Sequence, residues 1–252
     1  MTLRNAFTIL TIAVATLCPA LRAQDEKADQ PIVRRPSLGF RFVYIGSPGF
    51  ETFGIQQSTT KPIADYDYSA STSKGRLRVS PNLECRLTPR ISLGLEFLFE
   101  HAQYKQTTQI RSGKKDPNAS TDTRPVTTTR ETTRASYWEL PVMARYYGLG
   151  SSTILSKTYL TGGVAYRHIG NVRTGTEYEN ADGSTDYNEI PATPKAVNQV
   201  GFGGGIGIRF IDDYRIKITP EIRVIRWLGH SFEGPSYRSA ATQYAATLGF
   251  SF

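Results

Sequence analysis

Apolar and polar residues alternate along most of the chain after residue 36, and this period of two predicts β-strands. In the final segment, every second residue from Tyr244 to Phe252 is apolar, whereas the positions between them are polar or small. No stretch in this part of the sequence keeps the 3.6-residue period of an amphipathic helix. The pattern therefore predicts an all-β fold with eight strands. These strands lie at residues 38–44, 77–87, 91–100, 137–146, 160–167, 199–210, 214–224 and 243–252.

The lengths of the connections help to decide which face of each strand is buried. A soluble sandwich packs its apolar face inward, whereas a membrane barrel turns that face to lipid and its polar face to the interior. Short turns alternate with long polar stretches here, as in outer-membrane barrels, which have short periplasmic turns and long outer loops. The short turns are 87–90 and 211–214, and 148–157 is of medium length. The long stretches are 46–74, 106–134 and 170–196, with a shorter one near 229–240.

Aromatic residues cluster at both ends of the predicted lipid-facing faces. Two such girdles are typical of chains that cross the two interfaces of a bilayer. One residue, Tyr159, is out of phase with its neighbour Leu160. The upper girdle is predicted to contain Tyr44, Phe99, Trp138, Tyr166, Phe202, Trp227 and Tyr244, and the lower one Tyr146, Tyr159, Phe210, Tyr214 and Phe252.

Residues 1–23 have the pattern of a cleaved signal peptide. An apolar run at 7–17, too short to cross a bilayer as a helix, is followed by a small residue at Ala23. The alternatives are a buried N-terminal helix, or lipid attachment at the first cysteine, which the bulky residue before it disfavours. After cleavage Cys85 would be the only cysteine, and residues 24–35 would form a flexible polar lead-in.

The end of the sequence and one internal strand carry a resemblance to a known family. The stretch 137–147 (YWELPVMARYY) is similar to an aromatic, acidic and proline-containing strand of outer-membrane β-barrel domains. Across residues 36–252 the sequence resembles a small OmpA/OmpX-type outer-membrane β-barrel. The resemblance implies an eight-stranded antiparallel up-and-down transmembrane β-barrel with short periplasmic turns, long extracellular loops and no peptidoglycan-binding domain after it. It also implies a C-terminal insertion signal, read by the barrel-insertion machinery, at Tyr244, Ala246, Leu248, Phe250 and Phe252.

Eight strands close into a barrel whose interior is about filled by side chains. Charged groups in such a lumen must be paired or keep water, so we predict an interior plug of Glu–Arg pairs. Glycines at every second position of 201–207 are expected to leave room for long arginines, and Pro81, Pro141 and Pro220 leave the strand registers open. The predicted network comprises Arg41, Arg78, Glu84, Arg86, Glu96, Glu100, Glu139, Arg145, Arg167, Arg209, Arg215, Lys217, Glu221 and Arg223.

Composition agrees with this assignment. The chain has 252 residues and a net charge of +8, and its mean hydropathy of −0.35 is too low for a bundle of membrane-spanning helices. A barrel with a charged lumen and polar loops accounts for that low value. The positive charge does not indicate nucleic-acid binding, because the arginines are spread over interior strand positions rather than gathered in one patch.

The long outer stretches are the surface available to an extracellular ligand. The stretch 106–134 has a net charge of +3 and the stretch 170–196 a net charge of −3. One hypothesis is that the two pack against each other as strand extensions, and the alternative is that they are independent solvated loops.

The remaining sequence shows little that indicates catalysis. His101, His168 and His230 lack the spacing of metal ligands, so we expect no metal and no cofactor. His230 and Ser231 are adjacent, which places their side chains on opposite faces of a strand and disfavours a base–nucleophile pair. We therefore expect no enzymatic activity.

The sequence thus predicts a monomeric, integral outer-membrane barrel with a structural or surface-interaction role in envelope integrity, adhesion or stress resistance. Its expected partners are outer-membrane lipid, lipopolysaccharide and the insertion machinery, and no nucleic acid is expected. The alternatives are a narrow channel for small solutes, a lipid-modifying enzyme of the outer membrane and a soluble lipocalin-like barrel. The physiological ligand and the conductance are left open.

Overall fold

A computed structural model describes residues 36–47, 50–52, 59–61, 64–72, 76–114, 122–150, 152–211, 216–233 and 237–252. The predicted signal peptide (1–23), the lead-in (24–35) and Arg215 lie outside the described residues. None of the helices in the described ranges is both long and apolar enough to span a bilayer.

Eight antiparallel strands form a closed ring in which each strand pairs with its neighbours along the chain. The last strand pairs with the first, from Gly39 opposite Ser251 to Ile45 opposite Ala245, and this pairing closes the barrel. The predicted eight-stranded antiparallel up-and-down barrel is confirmed. The strands are β1 (Pro36–Ile45), β2 (Arg76–Arg86), β3 (Ile91–Glu96, continuing as Leu98–Ser112), β4 (Val126–Tyr147), β5 (Thr158–Glu179), β6 (Asn198–Ile208), β7 (Lys217–Trp227) and β8 (Thr242–Ser251).

Three of these strands, β3, β4 and β5, continue beyond the ring at the end opposite the 87–90 turn and form a sheet extension. There, β4 pairs with β5 from Ala135 opposite Val172 to Thr128 opposite Glu179, after a bulge next to Tyr137. The hypothesis that 106–134 and 170–196 pack together as strand extensions is therefore confirmed. Flanking strands widen the extension: Ala64–Thr72 pairs with β3 and with Thr59–Lys61, and Thr185–Pro191 pairs with β5.

The other connections are compact. At 87–90 the backbone N–H of Leu87 donates to the Ile91 carbonyl oxygen at 2.9 Å. A single-turn helix, α1 (Thr153–Lys157), lies between β4 and β5. Phe210–Ile211 pairs with β7, and Phe50–Thr52 pairs with Tyr237–Ser239.

The two faces of the strands differ in polarity, as a membrane barrel requires. Outward side chains are apolar and strongly exposed, for example Leu38 at 67% and Ile222 at 66%, whereas the inward Arg41 and Glu96 are each 1% exposed. This arrangement turns apolar surface to lipid and charge to the interior. The strand prolines keep register, with Pro81 opposite Phe40, Pro141 opposite Ala165 and Pro220 opposite Leu248.

Two predicted girdle residues, Trp227 and Tyr159, are not on the lipid face. Trp227 is 2% exposed and Tyr159 is fully buried, both inside the barrel. Glycines on the neighbouring strand β6, Gly201 and Gly207, lie against these rings and leave them space. Each ring also finds a partner for its polar atom inside the barrel, so both girdle assignments were wrong.

Candidate functional site in the barrel interior

The half of the interior nearer the 87–90 turn holds three glutamates and three arginines. We call this the turn-side cluster: Arg41, Glu84, Glu96, Arg145, Glu221 and Arg223. All six side chains are at least nine-tenths buried. Their formal charges cancel, which is what burial in a narrow lumen demands.

Glu96 is the centre of the turn-side cluster. Both terminal nitrogens of Arg223 donate to its carboxylate at 2.8 Å, and Nη2 of Arg145 donates at 3.1 Å. Nε of Arg41 lies 3.4 Å away. One carboxylate thus meets three guanidinium groups, each carried by a different strand.

Glu221 has a similar environment on β7. Nη1 of Arg41 donates to it at 2.9 Å, the Tyr159 hydroxyl at 2.8 Å and Nε of Arg223 at 2.7 Å. The side chains that share this carboxylate come from β1, β5 and β7, so the network ties opposite walls of the barrel together.

Glu84 completes the turn-side cluster on β2. It accepts from Nη1 of Arg145 at 3.0 Å and from the Tyr147 hydroxyl at 2.7 Å. Arg145 therefore bridges Glu84 to Glu96 across the lumen.

Glycines make room for the arginines, but they are not the glycines that the sequence suggested. The guanidinium of Arg145 lies over Gly94, where a Cβ would sit 2.7 Å from Nη1, and Arg41 lies beside Gly249. By contrast, Gly201, Gly203, Gly205 and Gly207 face chiefly Trp227, Ile225, Met143, Thr161 and Tyr159. The expectation that this glycine run accommodates arginines was wrong, because aromatic and apolar side chains occupy that part of the lumen.

A second charged group, the extension-side cluster, lies toward the sheet extension and consists of Arg76, Glu100, Glu139 and Arg167. Nη1 of Arg76 lies 2.6 Å from Glu100, and Nη2 of Arg167 lies 2.7 Å from Glu139. These charges also cancel.

Neutral side chains hold Arg167 in place. Its guanidinium carbon lies 3.9 Å from the Trp227 ring centroid and 4.8 Å from that of Tyr137. Gln243 Oε1 accepts from Nη2 of Arg167 at 2.8 Å and from Nε1 of Trp227 at 3.2 Å. The arginine is therefore stacked as well as paired.

Apolar side chains fill the lumen beside these charges. One apolar group contains Val43, Ile45, Leu98 and Ala245. The mouth under the sheet extension is filled by Ala102, Tyr104, Ala135, Tyr137, Ile169, Val172 and Phe232, all below 10% exposure. Two neutral ionic clusters and an apolar mouth thus occupy the barrel along its length.

The structure brings nine of the fourteen predicted network residues into these clusters and leaves others outside. Arg78 donates to the Leu77 carbonyl oxygen at 3.0 Å, and the exposed Arg86 to that of Pro89 at 2.6 Å. Arg209 stacks 4.1 Å from the Tyr147 ring centroid. Lys217 is half-buried at the start of β7.

Sequence reasoning missed several members of the site. Arg76 lies one residue before the predicted start of its strand, and extending the period of two backwards would have placed it inward. Extending the predicted strand 137–146 by one residue would likewise have placed Tyr147 inward. The roles of Gln243 and Trp227 depend on contacts across the barrel and had no local signal.

The histidines bind neutral partners outside these clusters. Nδ1 of His101 lies 2.9 Å from Ser136 Oγ, and Nδ1 of His168 lies 2.7 Å from Asn198 Oδ1. Nδ1 of His230 lies 2.7 Å from a backbone carbonyl oxygen. Among the described residues, no three His, Cys, Asp or Glu side chains are grouped to hold a metal ion.

The predicted C-terminal insertion signal lies on the outward face of β8. Phe250 stacks on Phe40 of β1 at 5.3 Å, and the Phe252 backbone N–H donates to the Leu38 carbonyl oxygen at 2.9 Å. Tyr244, Ala246 and Leu248 are exposed on the same face. The terminal strand thus completes the ring, and its reading by insertion machinery stays a prediction.

Comparisons with known proteins agree with this architecture. Residues 39–233 match the family model described as outer membrane protein beta-barrel domain. A search of curated protein sequences found no match.

Several solved structures are similar at low sequence identity. Ail, the attachment invasion locus protein of Yersinia pestis, is 7% identical, with 86% of this chain and 99% of that chain covered and a TM-score of 0.37. OprG from Pseudomonas aeruginosa is 10% identical, with 86% and 95% covered and a TM-score of 0.38. Neisserial surface protein A is 9% identical, with 86% and 97% covered and a TM-score of 0.33.

Proposed function

The chain belongs to the outer membrane protein beta-barrel domain family, and from that premise we propose that it is a closed barrel with a structural or surface-interaction role in the outer membrane. The observation that carries this proposal is the turn-side cluster, where Glu96 contacts Arg41, Arg145 and Arg223 at once. The cluster spans the lumen with side chains that are almost completely buried.

The energetics of buried ion pairs support a closed lumen. Taking one partner from a buried pair typically costs about 3–5 kcal/mol, because the remaining charge is left uncompensated. A hydrated ion could pass the turn-side cluster only after several such pairs had separated. It would then meet the apolar mouth around Tyr104, Tyr137 and Phe232.

The sheet extension supports the surface-interaction part of the proposal. It carries strands on both flanks, and every side chain of the flanking strand Thr185–Pro191 is exposed. A paired sheet presents side chains in a defined spacing, which suits recognition better than independent loops do. Envelope integrity, adhesion and stress resistance are the roles that such a barrel could serve.

Conductance in planar bilayers tests the proposal. We expect the full chain, inserted and verified as folded by heat-dependent gel mobility, to show no discrete current steps at any voltage the bilayer tolerates. The matched control is the double variant Glu96→Ala with Arg223→Ala, which removes opposite charges from the centre of the plug and should admit current. Regular current steps from the unaltered chain would contradict the closed-barrel proposal and favour a narrow channel.

A further inference from the structure

A cavity of about 240 Å³ lies beside the apolar mouth of the barrel, on the inward face of the sheet extension. Sites for drug-sized ligands usually have volumes of about 300–1,000 Å³, so a ligand of this cavity is smaller than that class. We call it the mouth cavity. The described residues that line it are Thr133, Val172, Ala192, Thr193, Lys195, Phe232 and Glu233.

The floor of the mouth cavity is apolar. Val172 and Phe232 are buried members of the group that fills the barrel mouth, and Ala192 packs against that group. The Ala192 backbone N–H donates to the Val172 carbonyl oxygen at 3.1 Å, which holds this part of the floor in place. Thr133 Oγ1 lies 3.0 Å from Thr174 Oγ1, so this hydroxyl already has a partner. A ligand that reaches the floor therefore gains chiefly by burying apolar surface.

Two opposite charges stand at the rim of the mouth cavity. Nζ of Lys195 donates to Oε2 of Glu233, and the two side chains are 59% and 48% exposed. This hydrogen bond lowers the pKa of the Glu233 carboxyl below its ordinary value of 4.5, so both groups are charged at neutral pH. His230 and Arg238 lower the same pKa further, but neither is among the described residues that line the cavity.

Backbone hydrogen bonds fix the positions from which the two rim side chains extend. The Lys195 backbone N–H donates at 2.8 Å to the carbonyl oxygen of Ser231, which lies two residues before Glu233. The Ser231 N–H donates to Ser239 Oγ at 2.7 Å, and the Ser239 N–H donates to the Phe232 carbonyl oxygen at 2.9 Å. The rim is therefore assembled before a ligand arrives, which reduces the ordering cost of binding.

The rim determines the charge pattern that a ligand must have. An ammonium group has three N–H donors and a carboxylate about four acceptor sites, so the contact between Lys195 and Glu233 leaves both with capacity for a ligand. A lone anion would be attracted by Lys195 and repelled by Glu233, and a lone cation would meet the reverse. A ligand with both charges, lying antiparallel to the ion pair, is attracted by both groups.

The closeness of the two rim groups sets the distance between the charges of the ligand. Because Lys195 and Glu233 are in hydrogen-bond contact, the ammonium and carboxylate groups of the ligand must also lie close together. A free α-amino acid carries the two groups on one carbon atom. An apolar side chain on that carbon would then lie toward the floor.

From this arrangement we propose that the mouth cavity binds a free α-amino acid with an apolar side chain. Its carboxylate accepts from Lys195, its ammonium group donates to Glu233, and its side chain packs on Val172, Ala192 and Phe232. The mouth cavity lies outside the two interior charge clusters, so the test of this proposal does not depend on whether the lumen conducts.

Saturation-transfer NMR on the full chain in detergent micelles tests the proposal, with leucine as the probe. We expect saturable binding of leucine. Three related compounds each lack one feature: 4-methylpentanoate has no ammonium group, 3-methylbutylamine has no carboxylate and glycine has no apolar side chain. Each should bind at least tenfold more weakly than leucine, because each loses one of the three contacts.

Two variants of the rim locate the site. Glu233→Gln should lower the affinity for leucine at least tenfold and narrow the difference between leucine and 4-methylpentanoate, because no carboxylate then repels the anion. Lys195→Gln should also weaken leucine binding and narrow the difference from 3-methylbutylamine. The matched control is Glu177→Gln, which neutralises an exposed carboxylate outside the mouth cavity and should change leucine binding less than twofold. Heat-dependent gel mobility confirms that each variant is folded.

Three results would overturn the proposal. Absence of saturable leucine binding would show that the mouth cavity takes no amino acid. Equal binding of leucine and 4-methylpentanoate by the unaltered chain would identify a site for anions instead of zwitterions. An equal loss in Glu177→Gln would show that net charge, rather than this cavity, determines binding.

Discussion

The barrel interior and the sheet extension use the same residue types in opposite ways. In the interior, Glu96 meets Arg41, Arg145 and Arg223, and all four side chains are at most 3% exposed. In the extension, Arg130 pairs with Glu177 and Glu179, but all three side chains are more than 40% exposed. Water therefore screens the extension pairs, whereas the interior pairs depend almost wholly on each other.

The difference also explains how strictly charge is balanced in each region. Both interior clusters contain equal numbers of carboxylates and guanidinium groups, because an unmatched charge in a narrow lumen has no water to stabilise it. The extension tolerates Arg134 opposite Arg173, since both side chains reach solvent. Burial thus determines whether a Glu–Arg pair is a structural requirement or a minor surface contact.

The strongest test of this comparison removes one charge from each region. Glu96→Gln leaves three buried guanidinium groups around a neutral amide, and we expect it to lower the free energy of unfolding by about 3–5 kcal/mol. The matched change in the extension, Glu177→Gln, should have an effect within about 0.5 kcal/mol. Urea unfolding of the barrel in lipid vesicles, followed by heat-dependent gel mobility, measures both values.

Similar losses for the two variants would contradict the assignment of different roles. If Glu96→Gln does not fold at all, Glu84→Gln offers a milder change in the same cluster. Its carboxylate contacts one guanidinium group, that of Arg145, and accepts from the Tyr147 hydroxyl, so its loss should give a smaller, measurable effect.

A second test compares two depths on the outer wall of the barrel. Leu95 lies on the lipid face between Leu83 and Val142, next to the inward Glu96. Leu95→Arg should lower the free energy of folding into lipid by about 2–4 kcal/mol, the cost of an arginine near the middle of the bilayer. The control is Leu228→Arg, which lies just beyond the end of β7 and should cost about 0–1 kcal/mol near the interface. Folding yield in vesicles measures both, and equal yields for Leu95→Arg and the unaltered chain would overturn the assignment of faces.

A third test concerns salt, which screens exposed charges much more than buried ones. Arg130→Gln should lower the free energy of unfolding by about 0.2–1 kcal/mol at low ionic strength. This difference should shrink as salt is added, whereas the effect of Glu96→Gln should stay nearly constant. Urea unfolding at two salt concentrations provides the measurement, and a salt-independent effect at Arg130 would show that its pairs are better shielded than their exposure indicates.

The smallest expected effect is a change in the pKa of one carboxyl group in the outermost part of the extension. Hydrogen bonds from the Arg124 side chain to Asp122 lower the pKa of that carboxyl below its ordinary value of 3.8. A carboxyl with a lowered pKa stabilises the folded state above the ordinary pKa, and that contribution is lost as pH falls through the folded-state pKa. Carbon-13 NMR titration should therefore find an Asp122 pKa below 3.8 that returns toward 3.8 in Arg124→Gln. An unchanged pKa in the variant would show that the contact with Arg124 is not maintained in solution.

The period of two in the sequence was sufficient to predict the eight strands of the ring and the faces of most of their residues. In a barrel each residue of a strand faces either lipid or lumen, so the local alternation of apolar and charged positions carries the information directly. The glutamates and arginines of the interior, Arg76 excepted, could be predicted for this reason before any pairing was known.

Only the tertiary structure decided which of these charges meet. Arg41 and Glu221 are 180 positions apart in the chain, and their contact depends on ring closure and on the stagger of eight strands. Arg78 and Arg86 have the right alternation but lie where backbone carbonyls are their nearest acceptors. No local pattern in the sequence shows how far along the barrel axis an arginine lies.

The sequence by itself determined the class of fold and the inward position of the charges, because both follow from the alternation of neighbouring residues. Tyr159 is out of phase with Leu160 in the sequence, but only the tertiary structure showed that it and Trp227 lie inside, where Gly201 and Gly207 leave space for their rings. It also decided that the polar outer stretches are strands, because a polar segment pairs or stays a loop according to what lies beside it. The contacts that distinguish these outcomes join residues far apart in sequence, and they exist only once the barrel has closed.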